Sequence, residues 1–208
     1  MKLIEMKVNE YLDVLKSDAP APGGGSVSAL AGAQGVGLFM MVCDLTIGKE
    51  KYADFQEGCI AAKEAGVKLY EELVAGIDKD TEAFNLVSAA FKMPKETDEE
   101  KAARKAAIAA GTLEATKVPF RTMELGFEGL KIASQLVGKT NPNAASDLGV
   151  AALNLMACIK GAWLNVKINL PGVKDEALAK EFEEKGRMIM AEAAKLAKPA
   201  YDAIESSL

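Results

Sequence analysis

A carboxylate set among apolar neighbours is the first side chain in this sequence that could do chemistry. Leu73, Ile77, Asp80, Phe84 and Val87 recur at steps of 4, 3, 4 and 3, which puts Asp80 on the core-facing stripe of a helix. A buried, ionised carboxylate is costly unless it is paired or hydrogen-bonded. Asp80 is therefore either a working acid or base with a raised pKa, or an aspartate satisfied by a lysine or a helix N-terminus. A second feature is the turn Pro20-Ala21-Pro22-Gly23-Gly24-Gly25-Ser26, which precedes a long apolar run. Three consecutive glycines let backbone N–H groups converge at the positive end of a helix, an arrangement suited to an anionic or carbonyl-bearing ligand. A tight connection between close-packed helices fits the same residues equally well. The G-K-[ST] of a phosphate loop and the strand that precedes a dinucleotide-binding turn are both missing.

Further along, Asp147, Asn154, Gly161 and Asn165 form a polar seam on a helix that otherwise carries Leu148, Leu155, Ile159, Val166 and Leu170. Asparagines there could hydrogen-bond a heterocycle or satisfy helix ends. Asp147 also lies in the first turn, where the helix dipole stabilises any acid. Lys49 and Lys51 follow a glycine stop at Gly48; they are either helix-end lysines or receivers of an acidic ligand tail. The methionine pairs Met40-Met41 and Met188/Met190 read as core filling.

Composition removes several alternatives. The chain has no histidine, which excludes Ser-His-Asp and Cys-His catalysis and the commonest metal ligand. Cys43, Cys59 and Cys158 are odd in number and lack C-x-x-C spacing, so neither a zinc site nor a disulfide framework is expected; they read as small buried hydrophobes in a reducing compartment. No metal and no organic cofactor are expected. A net charge of -5 argues against a nucleic-acid partner. The N-terminal MKLIEMKVNEYLD is amphipathic and charged rather than continuously apolar, so a cytoplasmic location is expected.

The elements that must position these groups are helices. Half the residues are hydrophobic and only 6% aromatic, with Ala, Leu, Glu and Lys recurring, which predicts an all-α protein. At 208 residues one domain is expected, a bundle of about six helices spanning residues 1–208. Val8, Tyr11, Leu12 and Leu15 mark a short first helix. Ser26 is expected to cap the apolar helix that follows, and this helix, although long enough to cross a bilayer, is interrupted by Gln34 and three glycines and is read as a buried central helix. A third helix is expected over residues 52–91, and Thr97-Asp98-Glu99-Glu100 is a capping box for the fourth. Pro119 should kink or divide that fourth helix. Ser146 or Asn143 should start the fifth, Pro171-Gly172 end it, and Asp175 start the last.

Taken in order, these segments resemble the formiminotetrahydrofolate cyclodeaminase and methenyltetrahydrofolate cyclohydrolase family. The glycine turn is similar to its P-x-P-G-G-G-S signature, and the stretch from Met41-Val42 to Tyr52 to its M-V-x-x-L-T-x-G-K-x-x-Y segment. Asp80-Thr81-Glu82-Ala83-Phe84 resembles its D-x-E-A-F, and the run from Pro94 to Arg104 its P-K-x-T-x-E-E-K. Val118-Pro119 matches its V-P, the run from Asn141 to Ala151 its N-x-N-x-x-S-D-x-G-V-A, and Asn165-Val166-Lys167-Ile168-Asn169 its N-V-x-I-N. Thr140 departs from the glycine usual before the first of these asparagines.

The resemblance implies an all-α homodimer acting on a tetrahydrofolate that carries a one-carbon unit. In the cyclodeaminase reaction N10 attacks the formimino carbon, ammonia leaves and 5,10-methenyltetrahydrofolate results. In the cyclohydrolase reaction water opens the methenyl bridge to 10-formyltetrahydrofolate. Both are kept here, cyclodeaminase first, with a non-catalytic folate- or partner-binding bundle as the remote alternative; neither a nucleic-acid nor a membrane partner is expected. Both reactions pass through a cationic amidine-type centre that a carboxylate can stabilise and relay protons for. The expected catalytic residues are Asp80 and, in support, Asp147. Pro22, Gly23, Gly24, Gly25, Ser26, Asn143, Asn165 and Asn169 are expected to hold the pterin, and Lys49 to meet the glutamate tail.

Overall fold

Local chemistry sets most of the element boundaries in the computed structural model, which describes residues 2–208. Six α-helices follow one another: α1 (Val8–Leu15), α2 (Gly24–Asp44), α3 (Gln56–Phe91), α4 (Asp98–Leu136), α5 (Ala145–Asn169) and α6 (Glu176–Glu205), with no strand among the described residues. The expected capping box opens α4: Thr97 Oγ1 accepts the Glu100 amide at 3.2 Å, and the Glu100 carboxylate accepts the Thr97 amide at 3.1 Å. Asp175 caps α6 by accepting the Leu178 amide at 3.0 Å. A cap of this kind contributes about 1 kcal/mol. Gly48 and Gly138, with φ of +75° and +73°, turn the chain after α2 and after α4, where a side chain would be strained.

Three boundaries differ from the sequence reading. The stretch Glu50–Phe55 is a 3₁₀ turn, so α3 begins at Gln56 rather than Tyr52. A second 3₁₀ turn, Pro142–Ala144, precedes α5; Asn141 opens it by accepting the Asn143 amide at 3.1 Å. Ser26 does not cap α2, which starts two residues earlier behind an extended Gly23, leaving Ser26 inside the first turn. Pro119, expected to kink or divide α4, leaves it a single assigned helix. The proline lacks an N–H for the Ala115 carbonyl, and Asn169 Nδ2 of α5 donates to that carbonyl instead, at 2.7 Å.

α2 packs chiefly against α5 and α3, with α4 behind it and α6 laid across α4 and α5. The approach is close because α2 carries glycine where its neighbours press in. A Cβ at Gly35 would lie 2.6 Å from Leu155 Cγ, and one at Gly32 would lie 2.7 Å from Cys158 Sγ. Gly24 lies against Asn165 and Gly35 against Leu155, so α2 and α5 run antiparallel. Phe39, Leu73, Met123, Leu130, Leu155 and Ile159 are fully buried between these helices. By length and composition Gly24–Asp44 and Pro142–Gly172 could each cross a membrane; 56% and 50% of their apolar windows are buried inside the bundle.

Candidate functional site

The glycine turn and Asp80 meet although 54 residues separate Ser26 from Asp80 in sequence. Ser26 N–H, one of the unpaired donors of the first turn of α2, donates to Asp80 Oδ2 at 2.9 Å, and Ser26 Oγ lies 3.2 Å from the same oxygen. Ser26 Oγ also donates to the Ile77 carbonyl at 2.8 Å, which fixes α2 against α3. Asp80 thus caps α2 from another helix, and this cross-chain cap replaces the local one expected of Ser26. Its other oxygen, Oδ1, accepts no hydrogen bond among the described residues. A Cβ on Gly25 would collide with it, so glycine at that position is what lets the carboxylate reach the turn.

Asp80 lines a cavity of about 350 Å³, a volume suited to a small ligand. Gly23, Gly24 and Gly25 line one side, and Asn165 and Asn169 another. Each asparagine is anchored through its amide nitrogen: Asn165 Nδ2 donates to the Gly161 carbonyl at 2.9 Å, and Asn169 Nδ2 to the carbonyls of Ala115 and Asn165 at 2.7 and 3.0 Å. With these assignments both Oδ1 atoms are left as acceptors for a ligand N–H. Burial pushes the Asp80 carboxyl above the ordinary carboxylate range, opposed by the two hydrogen bonds from Ser26. The site therefore combines a pinned carboxylate with one open oxygen, a glycine backbone rim and two amide acceptors.

Pro22 is buried behind the rim, preceded by a cis peptide bond, and Ser26 sits wholly buried beneath it. The remaining candidates lie elsewhere. α2 is 21 residues long, about 31 Å at 1.5 Å per residue. Lys49, Asn143 and Asp147 belong to its far end and to the adjoining start of α5, out of reach of Asp80 in the same chain. What converges there is a satisfied polar knot. Thr46 Oγ1 accepts the Asn141 amide at 3.0 Å, Asn141 Nδ2 donates to the Leu45 carbonyl at 3.2 Å, and Tyr52 Oη donates to Asn141 Oδ1 at 3.2 Å. Asn143 and Lys49 are exposed beside it, and Asp147 is half-buried.

Phe84, Val87, Ala115 and Ile168 also line the cavity and were missed as site residues. Phe84 and Val87 were visible as members of the Asp80 stripe but read as core; the stripe leaves the core at Asp80, and Phe84 is exposed. Ala115 carries no signal of its own, since only the proline four residues on reveals its free carbonyl. Beneath the site, Tyr11 is buried to 7% exposure with a hydroxyl that has no partner, packed with Ala29 and Ile77. The three cysteines are free and buried as expected, and burial pushes the Cys43 and Cys158 thiols up to about 12, which leaves them unreactive. Among the described residues no group of three His, Cys, Asp or Glu side chains gathers to hold a metal ion.

A family model described as formiminotransferase-cyclodeaminase matches residues 7–187. The methenyltetrahydrofolate cyclohydrolase of Methylorubrum extorquens is 39% identical over 201 residues, covering 97% of each chain. The formimidoyltransferase-cyclodeaminase of Gallus gallus is 31% identical over 192 residues, covering 92% of this chain but only 35% of the relative, so the chain spans about a third of that bifunctional protein. Among solved structures, a formiminotetrahydrofolate cyclodeaminase from Thermotoga maritima superimposes with a TM-score of 0.80 at 25% identity, over 98% of this chain and 96% of that one.

Proposed function

The chain belongs to the formiminotransferase-cyclodeaminase family, and from that premise we propose that it is a folate one-carbon enzyme acting at the carbon that bridges N5 and N10 of tetrahydrofolate. The observation that carries this reading is the divided role of Asp80: Oδ2 is fixed by Ser26 while Oδ1 accepts no hydrogen bond among the described residues, and the residue lines a cavity shared with the glycine turn, Asn165 and Asn169. We put methenyltetrahydrofolate cyclohydrolase first, because the relative that matches end to end carries that activity in its name. The fold shared with the Thermotoga maritima protein supports cyclodeaminase as the second reading.

One carboxylate serves both reactions. In hydrolysis, ionised Asp80 faces the cationic methenyl carbon, accepts a proton from the attacking water, and lets the adduct collapse with cleavage of the carbon–N5 bond; the hydroxyl proton ends on N5 and the product is 10-formyltetrahydrofolate. In cyclodeamination, N10 attacks the formimino carbon, Asp80 takes the N10 proton, and the same carboxyl delivers it to the departing ammonia. Anchored Asn165 and Asn169 would accept N–H groups of the pterin, and the glycine rim would let it approach the backbone. All of this uses groups of the chain itself, without a cofactor, in a cytoplasmic homodimer.

Purified protein distinguishes the readings through the absorbance of the methenyl chromophore. The signal should fall with 5,10-methenyltetrahydrofolate if the protein is a cyclohydrolase and rise with 5-formiminotetrahydrofolate if it is a cyclodeaminase. Background rates with both substrates would overturn the enzymatic reading and leave a binding bundle.

A further inference from the structure

Beneath the glycine turn, one hydrogen is shared among three oxygens. Ser26 is 0% exposed, so its hydroxyl must find its partners within the protein. Around Oγ lie the Ile77 carbonyl at 2.8 Å, Asp80 Oδ2 at 3.2 Å and Thr81 Oγ1 at 3.3 Å. A serine hydroxyl has one hydrogen to give and two lone pairs to accept with. Which acceptor takes the hydrogen depends on the charge of Asp80. The shorter contact favours the Ile77 carbonyl while Asp80 is protonated. A hydrogen bond to an ionised carboxylate is roughly twice as strong as one between neutral groups, which favours Oδ2 once Asp80 is charged.

Both arrangements are complete. Ile77 lies inside α3, where the helix ladder already supplies its carbonyl with a donor, so withdrawing Ser26 strands nothing. When the Ser26 hydrogen points at Oδ2, the Thr81 hydroxyl is placed to donate to Ser26 Oγ. Throughout, the Ser26 N–H keeps its own bond to Oδ2 at 2.9 Å, so the carboxyl stays in place while the hydroxyl turns.

Few other groups answer to the charge of Asp80. From α1, the Tyr11 phenol feels it, and α2 brings no charged side chain before Asp44. The cavity walls from α4 and α5 contribute Ala115, Asn165, Ile168 and Asn169, none of them ionisable. Gly111 lies against Val87 and Gly76 against Thr122, so residue 118 of α4 is level with Asp80. The ionisable residues beside that level are paired elsewhere, Lys117 with Glu114 and Arg121 with Glu72 and Glu124. On α3 itself Asp78 accepts the Leu3 amide at 2.6 Å, and Lys79 and Glu82 are exposed.

Resting on the folate reading above, we propose that Ser26 is a positioning residue rather than a pterin ligand, its hydroxyl turning from the Ile77 carbonyl to Asp80 Oδ2 when Asp80 loses its proton and back when Asp80 regains one. The hydrogen never leaves Oγ; only its acceptor changes. The turn stabilises the ionised carboxylate that begins each reaction, and it loosens one bond between α2 and α3 while that charge lasts. Burial raises the Asp80 carboxyl, and the bonds from the Ser26 hydroxyl and amide oppose it, in the sense this role requires.

Carbon-13 NMR titration of the ligand-free protein tests the turn directly. The Asp80 Cγ resonance, assigned by comparison with Asp80→Asn, reports the charge, and the Ile77 carbonyl carbon reports the hydrogen bond. In the wild type the two should titrate with one midpoint. In Ser26→Ala the Asp80 midpoint should move to higher pH, and the Ile77 response should shrink to less than half. In turnover, kcat/KM of Ser26→Ala on the acid limb should fall about tenfold, as expected for losing one hydrogen bond to a charged group, with a smaller loss on the plateau at higher pH. Thr81→Val keeps both acceptors of Ser26 and should move the Asp80 midpoint the same way by less; it decides the matter if Ser26→Ala does not fold. An Ile77 carbonyl that ignores the Asp80 titration in the wild type, or answers it equally in Ser26→Ala, overturns the proposal. So does an unmoved Asp80 midpoint in Ser26→Ala, or in Thr81→Val where that variant must decide. A loss of kcat/KM in Ser26→Ala that is equal at every pH would make the serine merely structural and overturn it too. If the wild-type chain turns over neither folate, the function reading fails, and the titrations still judge the hydroxyl.

Discussion

The two ends of α2 are built to opposite standards. At its C-terminal end the polar groups that are not exposed are engaged: Thr46 both donates to the Val42 carbonyl at 2.7 Å and accepts from Asn141, and the Gln56 carboxamide accepts the Gly48 amide at 2.7 Å while donating to the Thr46 and Tyr52 carbonyls. At its N-terminal end the capping carboxylate, which lines a cavity, uses one oxygen and leaves the other without a hydrogen bond among the described residues. A satisfied buried network holds a fold in one arrangement. A half-buried carboxylate left half-satisfied weakens the fold it sits in and remains available to a substrate. The difference in completeness is what marks one end of the helix as structure and the other as chemistry.

The sharpest way to break this contrast is Asp80→Asn. The amide can still accept from Ser26, so the fold should survive with unchanged helical circular dichroism, while kcat should fall by about 10³-fold, within the range for loss of a general acid or base. Near-normal turnover would remove Asp80 from the chemistry. The pH dependence follows from the same residue. Burial raises its carboxyl above the unfolded value, so kcat/KM should have an acid limb above the usual carboxylate range. In stability the sign is opposite to that of an ordinary paired carboxylate. The contribution of Asp80 is fully present below the unfolded pKa and is lost as pH rises through the higher folded one. Thermal melts of wild type and Asp80→Asn across that window should therefore diverge, the wild type losing stability that the variant keeps.

Gly25→Ala tests the same end by sterics. Its Cβ would meet Asp80 Oδ1, so either the carboxylate swings away or α2 shifts. A loss of about 1–3 kcal/mol in denaturant unfolding is expected from overpacking, with kcat down roughly 100-fold because the reacting group is misplaced. A variant as stable and as active as wild type would show that the close approach is unnecessary. Thr46→Val tests the other end. It strands the Asn141 amide, 3.0 Å from Thr46 Oγ1, in a buried position, which should cost about 1–3 kcal/mol while leaving kcat unaltered. A fall in kcat as large as that of Gly25→Ala would erase the distinction between the two ends.

How far the sequence foretold these ends differs for a physical reason. Caps and turns made by neighbours in sequence, such as Thr97 with Glu100, Asp175 with Leu178 and the left-handed Gly48, were legible because the groups that satisfy one another lie within a few residues. Asp80 was legible as an exception to helical periodicity. Its partner was not, because Ser26 reaches it only after α2 and α3 pack, and the same tertiary cap made a local cap at Ser26 unnecessary. The anchoring of Asn169 was equally hidden, since the carbonyl it bonds is free only because Pro119 lies four residues beyond Ala115 on another helix. The resemblance grouped Lys49, Asn143 and Asp147 with Asp80, and the antiparallel run of α2 and α5 separates them within one chain.

Tyr11 gives the smallest expected effect and refines the boundary of the chemical end. Its hydroxyl is buried without a partner under Asp80's stripe, and burial together with the Asp80 charge raises its pKa, so it remains a neutral phenol at working pH. An unpaired buried hydroxyl costs free energy that phenylalanine does not incur. Tyr11→Phe should therefore stabilise the protein by about 1 kcal/mol, a rise of roughly 2–4 °C in Tm for a domain of this size, with kcat and its pH profile unchanged. If instead kcat falls tenfold and the acid limb moves to higher pH while Tm rises, the hydroxyl donates to ionised Asp80 during turnover, and the incomplete end of α2 extends to α1.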